Sequence, residues 1–369
     1  MKAVGGKILV AMSGGVDSSV AAGLLLEQGY EVEGVTMCFE LPASDAARRP
    51  SCCGLASIED ARRVAKALGI RHHVLNYGDA LHATVIDDFV AEYLKGRTPN
   101  PCVRCNQYLK FVRLFNDSVG LGADRLATGH YARIEHDPQW GWCLKKGLDE
   151  RKDQSYFLYG IPREILPRVM FPLGGLTKAA VRDAARRMAL PTAEKRESQD
   201  ICFIPDGDYR RFLGARAPAL SVPGDMLDHT GKKVGTHQGV AHYTVGQREG
   251  LGIALGFPVY VYQIDVPSNI IRVGPRECLL AQGLKASGLN LVSMNFSKES
   301  IEAGVKIRYN HTDIDAVVEI LDSKRIAVRF QHPQPSVTPG QSVVFYRGDV
   351  LLGGALIDSE LKNFPDGNF

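Results

Sequence analysis

The chain has no long hydrophobic run, and no apolar segment approaches the roughly 20 residues that a helix needs to cross a bilayer. Its first residues also lack the basic region, apolar core and cleavage site of a secretory signal. We therefore expect no membrane association and a cytoplasmic location. Cysteine is sparse, at 8 of 369 residues. That density argues against a disulfide scaffold and leaves the thiols available for chemistry in a reducing compartment.

The chain also lacks a large excess of either sign of charge. The 44 Lys and Arg residues nearly balance the 41 Asp and Glu residues, for a net charge of +3. So weak an overall field does not indicate a polyanionic partner, because isolated basic doublets are typical of ordinary solvated surfaces. A chain of 369 residues is too long for one ordinary core, which predicts two or three domains.

The first half of the chain alternates strands with helices. Buried strands are predicted from Lys7 and at 31–37, 72–77 and 125–130, with amphipathic helices between them. This alternation predicts an α/β fold with a doubly wound parallel sheet over residues 1–206. Ligands of such sheets bind at the carboxyl ends of the strands.

The remainder of the chain reads differently. Residues 207–256 are rich in Gly, His and short apolar runs without a clear period, and residues 207–280 are assigned to a small middle domain. Residues 281–369 contain short β-rich segments separated by turn residues. They predict a C-terminal antiparallel β-barrel, with a β-sandwich as the alternative.

A glycine- and serine-rich loop, Ser13–Ser19, links the first strand to the first helix. Its N–H groups and the positive end of the helix dipole converge on one point, which favours a phosphate. Ser13, Ser18 and Ser19 offer hydroxyl donors, and Asp17 is a candidate Mg²⁺ ligand. The loop lacks the Gly-Lys-Ser/Thr ending of kinase-like and GTPase-like loops. It has the form of the PP-loop of enzymes that split ATP into AMP and pyrophosphate. The alternative is a turn that only connects the strand to the helix.

Three cysteines stand in a chemical context. Cys102 and Cys105 have CxxC spacing, and Cys105 directly precedes a predicted helix whose dipole would lower its thiol pKa. No second cysteine or histidine pair completes a zinc site. Cys202 follows a charged stretch and is equally well read as a reactive thiol or as a small buried hydrophobe. The other cysteines lack such context: Cys38, Cys52, Cys53, Cys143 and Cys278.

Five motifs occur in this chain in a fixed order: SGGVDSS, GRTPNPCVRCN, ATGHYAR, KDQSYFLY and SQDICFI. Together with the later HQGVAHYTVGQREGLGI and VTPGQSVVFYRGDVLLGG, they closely resemble the bacterial tRNA-specific 2-thiouridylase family of PP-loop ATP pyrophosphatases. The resemblance runs nearly end to end. It implies that ATP adenylates O2 of the wobble uridine of tRNAs for lysine, glutamate and glutamine, and that sulfur then replaces the adenylated oxygen to give 2-thiouridine, AMP and pyrophosphate.

The resemblance also implies site residues. Cys202 would accept a sulfane sulfur from a relay protein or a cysteine desulfurase. Cys105 would then attack the sulfur bridge, form a transient disulfide with Cys202 and release the product. The implied ATP-binding residues are Ala11, Met12, Ser13, Gly14, Gly15, Val16, Asp17, Ser18, Met37 and Gly129. The implied target-base and tRNA contacts are Asn100, Pro101, Cys102, Lys152, Asp153, Gln154, Arg308 on phosphate and Tyr309 on a base.

One position departs from the family pattern. Many relatives carry Asp where this chain has Cys102, and that Asp is proposed to handle the uridine proton. Here either Cys102 serves as a weaker base, or Cys102, Cys105 and Cys202 hold an iron–sulfur cluster with an open iron site. Two rival functions also stay open: a PP-loop ligase that adenylates a small molecule, and a non-catalytic RNA-binding protein whose loop is an anion site.

Overall fold

A parallel five-stranded sheet forms the N-terminal part of the computed structural model, which describes residues 6–39, 55–196, 201–204, 206–295 and 300–362. The strands up to residue 170 are β1 Lys7–Ala11, β2 Glu31–Cys38, β3 Arg71–Asn76, β4 Arg125–Thr128, β5 Ala132–Asp137, β6 Gly141–Lys146 and β7 Val169–Met170. The parallel sheet has the order β3-β2-β1-β4-β7. The strand β1 lies at its centre, so the loop after β1 opens at the middle of the carboxyl edge.

Helices cover both faces of this sheet. They are α1 Val16–Glu27, α2 Leu55–Leu68, α3 Gly78–Leu81, α4 Asp87–Leu94, α5 Pro101–Arg104, α6 Phe115–Gly120, α7 Lys178–Arg187 and α8 Tyr209–Arg216, the last of which follows the sheet domain. Ile8 and Val10 pack against α1, α2 and α7, whereas Leu9 packs against the helices of residues 78–120. Successive side chains of β1 thus serve opposite cores, as the period of a strand requires. The predicted doubly wound parallel sheet is confirmed.

One long helical segment carries the CxxC pair. It runs without interruption from Pro101 to Gly120, through α5, ten π-helical residues at Cys105–Leu114 and α6. We call this segment the cysteine helix. Stretches of π-helix are rare and are frequent at functional sites, because they re-aim the side chains of one turn.

Two β-structures follow. The middle part has a four-stranded sheet of order β10-β11-β8-β9. Its strands are β8 Gly224–Leu227, β9 Lys233–His237, β10 Tyr260–Asp265 and β11 Ile270–Gly274. The C-terminal strands are β12 Leu280–Leu291, β13 Ile301–Lys306, β14 Ile314–Ile320, β15 Arg325–Pro335, β16 Ser342–Arg347 and β17 Val350–Leu361. They pair antiparallel in the order β12-β15-β14-β13-β16-β17, and β12 also pairs with β17, which closes a six-stranded barrel.

The barrel is therefore confirmed, and the sandwich alternative is wrong. A hairpin of the N-terminal part, β5 and β6, extends the barrel sheet through pairing of β6 with β17. The sequence pattern did not predict this hairpin. No helix in the described ranges is long and apolar enough to span a membrane. The predicted domain limits, 1–206, 207–280 and 281–369, stay a prediction.

Candidate active site

The loop between β1 and α1 is held in a single shape by its glycines. Gly14 adopts a left-handed backbone with φ of 69°. A Cβ on Gly14 would lie 2.3 Å from the carbonyl oxygen of Ser57, in the first turn of α2. Only glycine satisfies both conditions, because other residues add strain and a clash with backbone. The loop therefore packs tightly on α2, and α1 begins with its N–H groups directed out of the carboxyl edge of the sheet.

The serine hydroxyls of the loop divide into two groups. The Ser18 hydroxyl accepts a hydrogen bond from the Ser13 N–H at 3.1 Å, and both residues line a cavity at the loop. Ser19 is buried; its hydroxyl donates to the Gly15 carbonyl at 2.7 Å and accepts from Thr192 at 3.1 Å. Ser19 is fully buried and does not line the cavity, so the prediction that Ser19 is a phosphate donor is wrong.

Asp17 is engaged by two distant side chains. The Lys178 ammonium contacts its two carboxylate oxygens at 2.7 and 2.9 Å, and the Tyr131 hydroxyl donates to one of them at 2.8 Å. The Asp17 carboxylate is therefore already paired with a cation of the protein itself. The predicted Mg²⁺ role of Asp17 does not fit this arrangement. Sequence reasoning missed Lys178 and Tyr131, because they lie 161 and 114 positions away and no local pattern marks them.

A cavity of about 420 Å³ opens beside the loop at the carboxyl edge of the sheet. Of the predicted site residues, those that line it are Ala11, Met12, Ser13, Asp17, Ser18, Met37, Gly129, Pro101, Cys102, Cys105, Gln154 and Cys202. The structure thus brings three thiols from two separate segments to the phosphate loop. Such a chamber can hold a nucleotide and a base next to sulfur.

Other predicted residues do not line this cavity. Gly14, Gly15 and Val16 shape the loop, and Asn100 caps a helix, whereas Lys152, Asp153, Arg308 and Tyr309 lie elsewhere. Asp153 is buried, and its carboxylate accepts from the N–H groups of Gly147 and Ser155, both at 3.0 Å. The tRNA contact of Asp153 stays a prediction, and its carboxylate already accepts hydrogen bonds from the protein's own backbone.

Arg308 and Tyr309 lie just after the end of β13 rather than in a strand. One Arg308 nitrogen donates to the Ser336 carbonyl at 2.7 Å and to the Thr338 hydroxyl at 3.1 Å, and these bonds link the segment after β13 to the segment after β15. Burial lowers the pKa of the Arg308 guanidinium. The Tyr309 ring packs on Phe157, with ring centroids 4.4 Å apart. Since Phe157 lines the cavity, the barrel reaches the site through this aromatic pair.

The cysteine helix starts earlier than the sequence indicated. Its first residue is Pro101, and the Asn100 side chain accepts from the Cys102 N–H at 3.2 Å. Cys102 therefore occupies the first turn, and Cys105 lies one turn further in with 9% of its surface exposed. Burial raises the pKa of the Cys105 thiol. The prediction that the helix dipole activates Cys105 is wrong. The sequence signal for the true helix start was Asn100-Pro101, because Asn is a strong N-cap and Pro is favoured as the first helical residue.

Lys110 supplies positive charge to this pair. Its ammonium donates to Asn106 Oδ1 at 2.9 Å, and Asn106 donates to the Phe157 carbonyl at 3.1 Å, so the lysine is held toward the cavity that it lines. Its charge lowers the pKa of Cys102 and Cys105, in opposition to burial. Sequence reasoning missed Lys110, although the spacing from Asn106 to Lys110 is one helical turn.

We expect Lys110→Met to raise the pKa of both thiols, because the cation that favours their thiolates is lost. A rise of about one unit would lower the thiolate fraction at neutral pH roughly tenfold. The measurement is the pH dependence of iodoacetamide alkylation at Cys102 and Cys105, resolved by peptide mass spectrometry. Lys110→Arg should retain the wild-type profile, and Lys66→Met on the exposed face of α2 is the matched control. An unshifted profile in Lys110→Met would contradict the assignment.

His130 is a further cavity residue that the sequence reading did not single out. Its Nδ1 lies 2.6 Å from the Thr128 hydroxyl, and its ring packs between Phe111 and Phe171 at 6.0 and 5.7 Å. Burial first, and then the Lys110 charge, lower its pKa well below the usual value. The imidazole is therefore neutral near pH 7 and can exchange hydrogen bonds with a bound ligand without adding charge.

The turn that carries Cys202 is fixed by its neighbours. The Phe203 ring packs on Phe89 and Phe212 at 5.5 and 5.4 Å. On the preceding side, the Lys195 ammonium donates to the Gly14 carbonyl of the phosphate loop at 2.9 Å. The Cys202 side chain is exposed toward the cavity, so the reading of it as a buried hydrophobe is wrong. Ser198–Asp200 of the SQDICFI motif lie outside the described residues, as do Cys52 and Cys53.

A metal site is not formed by the groups that the structure describes. Within the described ranges, no three His, Cys, Asp or Glu side chains lie close enough to hold one metal ion. Cys102, Cys105 and Cys202 share a cavity wall but do not form a ligand set in this arrangement. The geometry therefore does not fit the iron–sulfur cluster raised by the sequence.

Comparison with known proteins was made for the whole chain. Residues 6–206 match the tRNA methyl transferase HUP domain, residues 210–275 the tRNA methyl transferase PRC-barrel domain and residues 281–357 the aminomethyltransferase β-barrel domain. A tRNA-specific 2-thiouridylase MnmA of Geobacter metallireducens is 50% identical over 96% of this chain and 97% of that protein. Another, of Pelotomaculum thermopropionicum, is 48% identical over 96% and 97%.

Among solved structures, a 4-thiouridine synthetase–RNA complex with bound ATP is similar at a TM-score of 0.36 and 18% identity. The match covers 58% of this chain and 50% of that one.

Proposed function

This chain belongs to the tRNA-specific 2-thiouridylase family, and we propose that its three-thiol cavity performs the sulfur transfer on an ATP-activated uridine. The chain is a tRNA-uridine 2-sulfurtransferase that uses ATP. The proposal concerns which residues bind ATP and which transfer the sulfur. The observation that carries it is the meeting of Cys105 and Cys202 with the phosphate loop in one cavity.

Adenylation is proposed to take place at the loop. The ATP phosphates would lie at the N-terminus of α1, against the N–H groups after Gly15 and the hydroxyls of Ser13 and Ser18. The base would lie between the strand ends at Met37 and Gly129. Attack of the uridine O2 on the α-phosphate expels pyrophosphate and turns a poor leaving group into AMP. No step is assigned to Mg²⁺, because Lys178 already neutralises Asp17.

Sulfur transfer is proposed to follow in the same cavity. The persulfide on Cys202 attacks C2 of the adenylated uridine and AMP leaves. Cys105 then attacks the Cys202 sulfur of the C2–S–S bridge, so that the new C2 sulfur is released on the base and the two cysteines form a disulfide. Lys110 favours the thiolate of Cys105 during this step. An external thiol reductant restores both cysteines.

The remaining assignments are proposals of the same kind. The substrates would be tRNAs for lysine, glutamate and glutamine, which are modified at the wobble uridine. Tyr309 and Phe157 would form the stacking surface near the base. Lys152, Arg308 and Gln154 would contact tRNA beside it. The persulfide would come from a relay protein or a cysteine desulfurase, and the enzyme would act in the cytoplasm, where thiol reductants regenerate it.

The deciding experiment is mass analysis of nucleosides from tRNA incubated with the protein, ATP and a persulfide donor. We expect 2-thiouridine at the wobble position, with one pyrophosphate released for each sulfur gained. A protein purified anaerobically and free of iron should be fully active. Activity that tracks iron content would favour the cluster instead, whereas RNA binding without pyrophosphate release would indicate a non-catalytic binder.

A further inference from the structure

The cavity contains one more thiol than the proposed transfer uses. Cys105 and Cys202 complete the transfer, yet Cys102 lines the same cavity and its side chain is exposed there. The other described cysteines, Cys38, Cys143 and Cys278, do not line this cavity. Cys102 is therefore placed to react with the disulfide that the transfer leaves behind.

Cys102 and Cys105 lie on the same face of one helix. They are three positions apart in the first turns of the cysteine helix, where side chains at such spacing are neighbours. Burial raises the pKa of both thiols, a charge on Cys105 raises that of Cys102 further, and the Lys110 charge lowers both. A CxxC pair at the start of a helix is an arrangement in which the two thiols readily form a disulfide.

The two partners of the transfer disulfide are held by different parts of the protein. Cys105 is a buried residue of the cysteine helix, whereas Cys202 is on a turn that Phe203 ties to Phe89 and Phe212. The Cys105 sulfur has little access for an external reductant, since only 9% of the residue is exposed. A thiol already inside the cavity does not need such access.

We propose that Cys102 is a resolving cysteine that resets Cys202 after each sulfur transfer, an inference that rests on the proposed function. The Cys102 thiolate attacks the Cys105 sulfur of the Cys105–Cys202 disulfide. The Cys102–Cys105 bond forms, the Cys105–Cys202 bond breaks, and Cys202 leaves as a thiolate that takes up a proton. No electrons are gained or lost in this exchange. A dithiol reductant then reduces Cys102–Cys105 through the exposed Cys102, while Cys202 is already a thiol that can accept the next sulfur.

The test is to stop one turnover at successive times by acid, alkylate the free thiols and map disulfides by mass spectrometry without reduction. In wild type we expect Cys105–Cys202 first and Cys102–Cys105 afterwards. In Cys102→Ser only Cys105–Cys202 should accumulate. With limiting reductant its later turnovers should slow roughly tenfold, far more than its first turnover, and excess reductant should restore them. Cys278→Ser, outside the cavity, is the matched control and should behave as wild type.

A second measurement does not depend on thiolation. Oxidation of the resting protein with diamide, without tRNA or ATP, should yield Cys102–Cys105 as its main disulfide. Wild-type turnover that ends only in Cys105–Cys202 would overturn the proposal, as would a Cys102→Ser variant that loses its first turnover entirely. Failure of the proposed function looks different, because wild type would then add no sulfur to tRNA and form no turnover-dependent disulfide.

Discussion

Cys202→Ser is expected to abolish sulfur transfer to tRNA and to leave ATP binding and pyrophosphate release in place. A serine oxygen cannot carry a sulfane sulfur, so the persulfide has no carrier, and we expect a loss of at least about a thousandfold. The turn itself should persist, because Phe203 and Ile204 remain buried and the Ile204 N–H still donates to the Ile201 carbonyl. The readouts are 2-thiouridine by mass spectrometry and pyrophosphate by a coupled assay.

The same variant separates the rival enzyme from the thiolase. A PP-loop ligase that lets an amine attack its adenylate needs no thiol, so full turnover by Cys202→Ser would favour that function. Cys278→Ser controls for the loss of a sulfur atom, because Cys278 is half-buried near β12 and away from the cavity. Retained thiolation in Cys202→Ser, with loss in Cys102→Ser, would instead move the persulfide to the cysteine helix.

The parts of the site that could be predicted from sequence are those fixed by local rules. The strand–glycine–helix unit around Gly14 is recognisable from sequence, because the left-handed backbone of Gly14 and the start of α1 follow from local residue types. Strands β1 to β4 were likewise predicted to within a few residues, since short apolar segments alternate with amphipathic helices in this part of the chain. The barrel was predicted from its turn spacing. The pairing of β6 with β17 was not predicted, because no local pattern around β5 and β6 indicates that distant partner.

What could not be predicted depends on contacts between distant segments. The neutralisation of Asp17 by Lys178 joins positions 161 apart, and no local pattern foretells it. Cys105 is buried in the folded protein, and this burial raises its pKa, whereas the sequence pattern predicted only a reactive thiol at a helix start. Asp153 was assigned to tRNA by resemblance, but its burial between Gly147 and Ser155 depends on the folded chain.

Gly129→Ala is expected to remove ATP binding, because the added methyl group would enter the phosphate loop. Gly129 directly follows β4, and a Cβ there would lie 2.6 Å from the Ser18 nitrogen and 2.7 Å from the Asp17 carbonyl carbon. Both are backbone atoms in the first turn of α1, so the loop must shift rather than a side chain rotate. We expect ATP affinity to fall by about a hundredfold or more, equivalent to roughly 2.7 kcal/mol.

Overpacking should also lower the free energy of unfolding by about 1–3 kcal/mol, so ATP affinity must be measured by calorimetry on protein that thermal unfolding shows to be folded. Gly175→Ala is the matched control, since Gly175 is exposed and a Cβ there meets no heavy atom within 4 Å. Cys202 in Gly129→Ala should still accept sulfur from a persulfide donor, because its turn is held by the packing of Phe203 on Phe89 and Phe212. Gly129→Ala and Cys202→Ser would then fail at opposite halves of one reaction, nucleotide activation and sulfur delivery. A folded Gly129→Ala protein that binds ATP as wild type does would mean that the nucleotide lies elsewhere than at the carboxyl edge of β1 and β4.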